Sequence, residues 1–213
     1  MEGAEKLISV CLPRRGVSPS FRPCHVLKAL KFLLESGPAG RPSLMRVLGL
    51  GEASTKTLLR RLKEADLVHS VKPEGTVLTE EGAALIKSLA PRLVVVGRVP
   101  SSGLCEGCVA WAVSLRNGAE LIESYGGVVR VRDLLVREGA LGGLILVKSS
   151  GRLYLPSNEG VEPFKGFKAG EEILRREDVV DGDAVMVALC RPGVDCECLT
   201  INSALELLRD LDC

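Results

Sequence analysis

The chain has 213 residues, 46% of them hydrophobic and 26% charged, which is enough for one or two domains with a buried core. The longest apolar run, Leu141-Gly-Gly-Leu-Ile-Leu-Val147, falls well short of the roughly 20 residues of a membrane span. The opening Met1-Glu2-Gly3-Ala4-Glu5-Lys6 is mixed in charge and holds no signal-peptide core, so a cytoplasmic protein without membrane contact is expected.

The net charge of +1 hides an asymmetry. Residues 1–90 carry 14 Lys and Arg against 9 Asp and Glu, whereas residues 91–213 carry 14 against 18. A basic first half on a near-neutral chain predicts a local surface for a polyanion. Glutamine is absent, Asn occurs only at 117, 158 and 202, and Glu outnumbers Asp 19 to 8. This composition points to a thermophilic source, where intracellular disulfides persist.

Residues 1–24 read as an N-terminal extension punctuated by Pro13, Pro19 and Pro23, with at most a short strand near residues 7–12 and then a loop. Arg14-Arg15 is either a DNA-contacting arm or a solvated basic tail. From His25 the apolar residues Val26, Leu27, Leu30, Leu33 and Leu34 recur at helical spacing, and Gly37-Pro38 ends that helix. A short helix over 43–48 follows Pro42, and Gly49-Leu50-Gly51 forms a tight turn. Ser54 is the expected N-cap of a third helix reaching about Asp66, with Leu58, Leu59, Leu62 and Ala65 on its apolar face. Residues 67–71 and 76–78 then form a hairpin around Lys72-Pro73-Glu74-Gly75. Thr79 caps a fourth helix over 80–89, and Pro91 follows it.

The Gly49-Leu-Gly51 turn, the run Leu58-Leu-Arg-Arg-Leu-Lys-Glu-Ala-Asp-Leu-Val68 into a strand, and Val77-Leu-Thr-Glu-Glu-Gly82 after it carry a resemblance. In order and spacing, residues 25–90 resemble a winged helix-turn-helix domain of the prokaryotic and archaeal transcription-regulator type. The resemblance implies that the 54–66 helix enters the major groove of duplex DNA. Ser54, Thr55, Lys56 and Thr57 are then the expected base readers, and Arg60, Arg61 and Lys63 the phosphate anchors. Lys72 at the wing tip, and Arg41 and Arg46 on the preceding helix, would reach neighbouring phosphates. A solvated basic face, or a face that docks protein, is the competing reading of the same stripe.

Residues 91–213 mix the two periodicities. Strands are expected at 93–99, 108–115, 144–148, 152–155 and 183–189, and helices at 128–139, 170–177 and 202–211. Leaving out the first strand and the last helix, the order is βαββαβ, which predicts a small α/β sandwich of ferredoxin-like layout. The fold class expected is therefore α+β, with an effector-sensing or dimerisation domain behind the DNA-binding one. A homodimer on duplex DNA would match two half-sites. Gly126-Gly127 and Gly166-Phe-Lys-Ala-Gly170, with Lys165 and Lys168, stand before helices whose free amides suit a small anionic effector.

Eight cysteines form the second constellation. Cys105-Glu-Gly-Cys108 and Cys196-Glu-Cys198 offer four thiolates suited to tetrahedral zinc or an iron–sulfur cluster, which would make the chain a metal or redox sensor. Disulfides or unlinked thiols are the alternatives, with Cys190 and Cys213 as further partners and Cys11 with Cys24 as another pair. Catalytic chemistry is thin. Both histidines, His25 and His69, fall in the first 90 residues, where capping and structural or DNA-facing roles suit them. The second half therefore lacks a Cys-His or Ser-His nucleophile pair, and no catalytic residue is assigned. Trp111 is expected in the core.

Overall fold

The computed structural model describes residues 3–14, 16–157 and 160–211. The chain forms a mixed α+β fold of two compact units, Met1–Ala90 and Pro91–Cys213. Among the described residues no helix is long and apolar enough to cross a membrane.

The first unit begins with a helix, α1 (Gly3–Val10), and not with the strand expected near residues 7–12. Its Ala4, Leu7, Ile8 and Val10 are buried, and the first three keep the spacing of one helical face. The N-terminal segment is thus part of the core and not an appendage. α2 (Pro23–Ser36) follows, with Pro23 at its first position, where a missing N–H costs nothing. His25 caps it, its Nδ1 accepting from the Arg22 backbone N–H at 2.9 Å. Next come α3 (Arg41–Leu48), closed by Gly49 in the left-handed conformation, and α4 (Glu52–Glu64). The hairpin strands β1 (Val68–Val71) and β2 (Gly75–Leu78) pair antiparallel, and α5 (Glu80–Leu89) ends the unit. Leu30, Leu44, Leu58, Leu62 and Ile86 are each fully buried. Each such side chain contributes about 1.5–3 kcal/mol.

Two glycines fix how the hairpin sits. At Gly75, with φ +116°, a Cβ would fall 2.5 Å from the Ala39 carbonyl oxygen. That close approach lets Ala39 and Thr76 exchange two backbone hydrogen bonds at 2.9 Å, which adds a bridge from the α2–α3 connection to the hairpin. At Gly82, in the first turn of α5, a Cβ would meet the Leu67 carbonyl oxygen at 2.0 Å. Thr79 ties the same corner: its Oγ1 accepts from the Gly82 N–H at 2.9 Å and donates to the Asp66 carbonyl at 2.6 Å.

The second unit is a six-stranded antiparallel sheet with helices on both faces. Its elements are β3 (Leu93–Val99), β4 (Val109–Leu115), α6 (Gly118–Ser124), α7 (Val128–Arg137), β5 (Gly142–Ser149), β6 (Arg152–Ser157), β7 (Gly160–Pro163), α8 (Lys168–Leu174), β8 (Ala184–Cys190) and α9 (Cys196–Leu211). The strand order is β3-β4-β8-β5-β6-β7. Helices α7 and α9 pack on one face, on β5 and on β4 and β8 respectively. On the other face Ala169 and Ile173 of α8 cover Ala110, Ala112, Leu146, Val185 and Val187.

The mixed α+β class agrees with the sequence reading, but α6 and β7 were not expected, and the sheet order differs from the ferredoxin-like layout. β8 pairs antiparallel with both β4 and β5, so β4 and β5 run parallel with β8 between them. By the same logic β6 and β8 run parallel around β5. The last strand therefore separates the first crossover pair, where the ferredoxin-like arrangement places the second strand of the central hairpin. The physical reason lies in β8 itself. Ala184-Val-Met-Val-Ala-Leu-Cys190 is apolar on both faces and six of its seven residues are buried, which suits the centre of a sheet covered on both sides.

Candidate nucleic-acid interface

The exposed face of α4 is built from the outside of an amphipathic helix. Its N-cap is Gly51, so the helix starts at Glu52, three residues before Thr55, and Ser54 lies inside the first turn instead of capping it. Leu58, Leu59 and Leu62 point into the core. Lys56, Arg60 and Lys63, at spacings of four and three, emerge together on the opposite side and are exposed. The hairpin stands beside them, and Lys72 at its tip is exposed as well.

Between α4 and the hairpin runs a groove of about 540 Å³, lined by Arg41, Lys56, Arg60, Lys63 and Lys72. Lys63 Nζ donates to Ser70 Oγ at 2.6 Å across it, holding helix and strand in register. Arg41 forms an exposed ion pair with Glu52 at 3.2 Å. The one carboxylate lining this groove is Glu64, and it is ion-paired with Arg14. The Arg14 hydrogen bond holds the Glu64 carboxyl below its ordinary value, with the charges of Arg14, Arg60 and Arg61 acting the same way.

The eight residues expected on this surface divide. Lys56, Arg60, Lys63 and Lys72 share it. Ser54 and Thr57 are half-buried at its edge; Ser54 Oγ lies 2.6 Å from Ser20 Oγ, and Thr57 Oγ1 donates back to the Ala53 carbonyl at 2.9 Å. Thr55 is fully buried and donates to the Gly51 carbonyl at 3.0 Å. Lying three residues before Leu58 and seven before Leu62, it belongs to the apolar stripe. Arg61 is 4% exposed. Its Nη1 donates to the Val10 and Leu12 carbonyls at 2.9 and 2.7 Å, and its guanidinium stacks over Phe21. It secures the N-terminal segment to α4 and does not share the exposed stripe. Arg46 and His69 are exposed, and Arg15 lies outside the described residues.

Among the described residues the cysteines do not form a four-thiolate site. Cys105 pairs with Cys108 and Cys190 with Cys196 as disulfides. Among the described residues Cys105, Cys108, Cys196 and Cys198 form no common ligand set. The reason is local. α9 begins at Cys196, so Cys196 and Cys198 are helical residues two positions apart, turned about 200° from each other, not the two arms of a tight turn. Cys11 is a free thiol, so it does not pair with Cys24. Burial pushes it up to about 12, against a smaller opposing effect of the Arg61 charge. Cys213 lies outside the described residues.

In the second unit the α7 N-terminus follows Gly126 and Gly127, both at positive φ. It opens on a cleft of about 650 Å³ walled by Ile122, Val128, Val147 and Val161 with the side chains of Ser149 and Tyr154. Lys165, ahead of α8, and Lys168, its first residue, are exposed, and Phe164 stacks on Phe167 at 4.7 Å. Trp111 is only partly buried, although its Nε1 is shielded. Arg132–Asp133 and Glu172–Arg175 are exposed pairs on helix surfaces.

No protein-family model and no curated protein matches the chain. The fold is similar to a solved structure described as hypothetical protein PH0730 from Pyrococcus horikoshii OT3, with a TM-score of 0.54 and 22% identity over 87% of this chain and 92% of that one.

Proposed function

We propose that residues 1–90 form a winged helix-turn-helix domain that binds duplex DNA. In this reading α4 lies in the major groove and the β1–β2 hairpin rests against the adjacent backbone. The second unit then serves as the effector-binding or dimerisation domain of a transcriptional regulator acting as a homodimer, its α7 cleft holding a small effector. The observation that carries the reading is the gathering of Lys56, Arg60, Lys63 and Lys72 along one groove between helix and hairpin. Arg14 neutralises the single carboxylate there.

Four phosphate contacts would release counterions with a log–log salt slope of about −3.6, an affinity loss of roughly 150-fold between 50 and 200 mM salt. Fluorescence anisotropy with a random-sequence duplex measures this. The Lys56→Ala/Arg60→Ala/Lys63→Ala variant is expected to flatten the slope by about 2.7. Binding that ignores salt, or a variant with the wild-type slope, would instead assign the face to a protein partner.

A further inference from the structure

A second groove runs along the other side of α4, and it is built differently. About 600 Å³ in volume, it lies between α4 and the loop around Val17–Phe21. Three cationic side chains line it, Arg14, Arg60 and Arg61, and no carboxylate does. Hydroxyls of Ser20, Ser54 and Thr57 complete the wall. Arg60 makes no ion pair among the described residues. Arg61 is nine-tenths buried or more, and both of its hydrogen bonds go through Nη1 to neutral carbonyls. Its shielded Nε–H has no hydrogen-bond partner among the described residues. Glu64, outside the groove lining but ion-paired with Arg14, offsets one of the three charges; Arg60 and the buried Arg61 guanidinium leave the groove net positive, in a setting of lowered dielectric.

We infer that this groove is a phosphate-binding site, taking a phosphate monoester or diester between Arg60 and the Ser20/Ser54 hydroxyls beside the Arg61 charge. Guanidinium groups bind phosphate oxygens in a forked, charge-assisted geometry, and serine hydroxyls supply further donors once released from each other. The phosphate comes either from the backbone of bound duplex, on the side of α4 away from the hairpin, or from a free phosphorylated metabolite. Only the first source rests on the DNA-binding reading.

Isothermal titration of the full chain with inorganic pyrophosphate at low ionic strength tests the site. Val17→Glu is the informative variant. Val17 lines the groove and is 70% exposed, so a carboxylate there changes the potential without disturbing the core, which circular dichroism verifies. Saturable binding of one pyrophosphate per chain, weakened about tenfold or more by Val17→Glu, is expected. Displacement by a short duplex then identifies the backbone as the source; retention of pyrophosphate beside bound duplex identifies a free phosphate ester. Pyrophosphate binding without any duplex binding keeps this site and removes the DNA reading. Absence of pyrophosphate binding, or equal binding by Val17→Glu, overturns the site, and salt-dependent duplex binding in that case leaves the DNA reading standing.

Discussion

Arg61 shows how far a side chain's neighbours decide its role. Two adjacent arginines in α4 end in opposite settings: Arg60 in solvent, Arg61 under the N-terminal segment with Val10 and Leu12 as acceptors. Arg61→Met removes both hydrogen bonds and leaves two carbonyls short of a donor, at a cost of about 3 kcal/mol. Urea unfolding followed by circular dichroism measures it, and a cost below about 1 kcal/mol would place the N-terminal segment elsewhere. Cys11 gives the pH prediction. Its thiol is raised from 9.0 to about 12 by burial, so between those values the unfolded chain has released a proton that the folded chain keeps. The Cys11 contribution to stability is therefore constant below about pH 9 and falls as pH rises through 9–12. Native Cys11 should resist iodoacetamide at pH 8 and react on unfolding. The exposure of Lys56, Arg60 and Lys63 was legible from helical spacing. Thr55 was expected to read bases and is buried instead; the signal that could have shown this is its distance of three and seven residues from Leu58 and Leu62. Burial of Arg61 had no such signal, because its cover comes from a segment 49 to 51 residues away.

Helices and strands were readable where a local chemical signal marks them. Thr79 ahead of Glu80-Glu81-Gly82 is such a signal, and it caps α5. Thr79→Ala should cost about 1 kcal/mol in thermal unfolding, while Gly82→Ala, which drives a methyl into the Leu67 carbonyl, should cost about 3 kcal/mol or more. Equal effects would mean that α5 does not approach Leu67 as described. α1 is too short for its periodicity to stand out from the loop that follows, and its helicity depends on burial against α2, α4 and α5. α4 starts earlier than Ser54 because Gly51, without a side chain, takes the cap position. α9 starts six residues before the expected Asn202, and that shift removes the paired-thiolate turn on which a zinc site depended.

At the scale of the whole chain, the division near residue 90 was read from Pro91 and the change of periodicity; the two compact units are Met1–Ala90 and Pro91–Cys213. Sheet order was beyond reach, since strand patterns show which segments are strands but not which edges meet. Only the two-faced apolarity of β8 hinted at its central place. The charge asymmetry is the global feature with a functional reading: the basic half holds α4 and the hairpin, so polyanion binding should localise there. Lysine footprinting tests this most directly. The protein is acetylated at low reagent with and without duplex DNA, and modification is quantified by mass spectrometry at each lysine. Protection is expected at Lys56, Lys63 and Lys72, with Lys87 on α5 and Lys165 and Lys168 in the second unit modified equally in both states. Unchanged modification at Lys56, Lys63 and Lys72, or protection confined to the second unit, would contradict DNA binding by α4 and the hairpin.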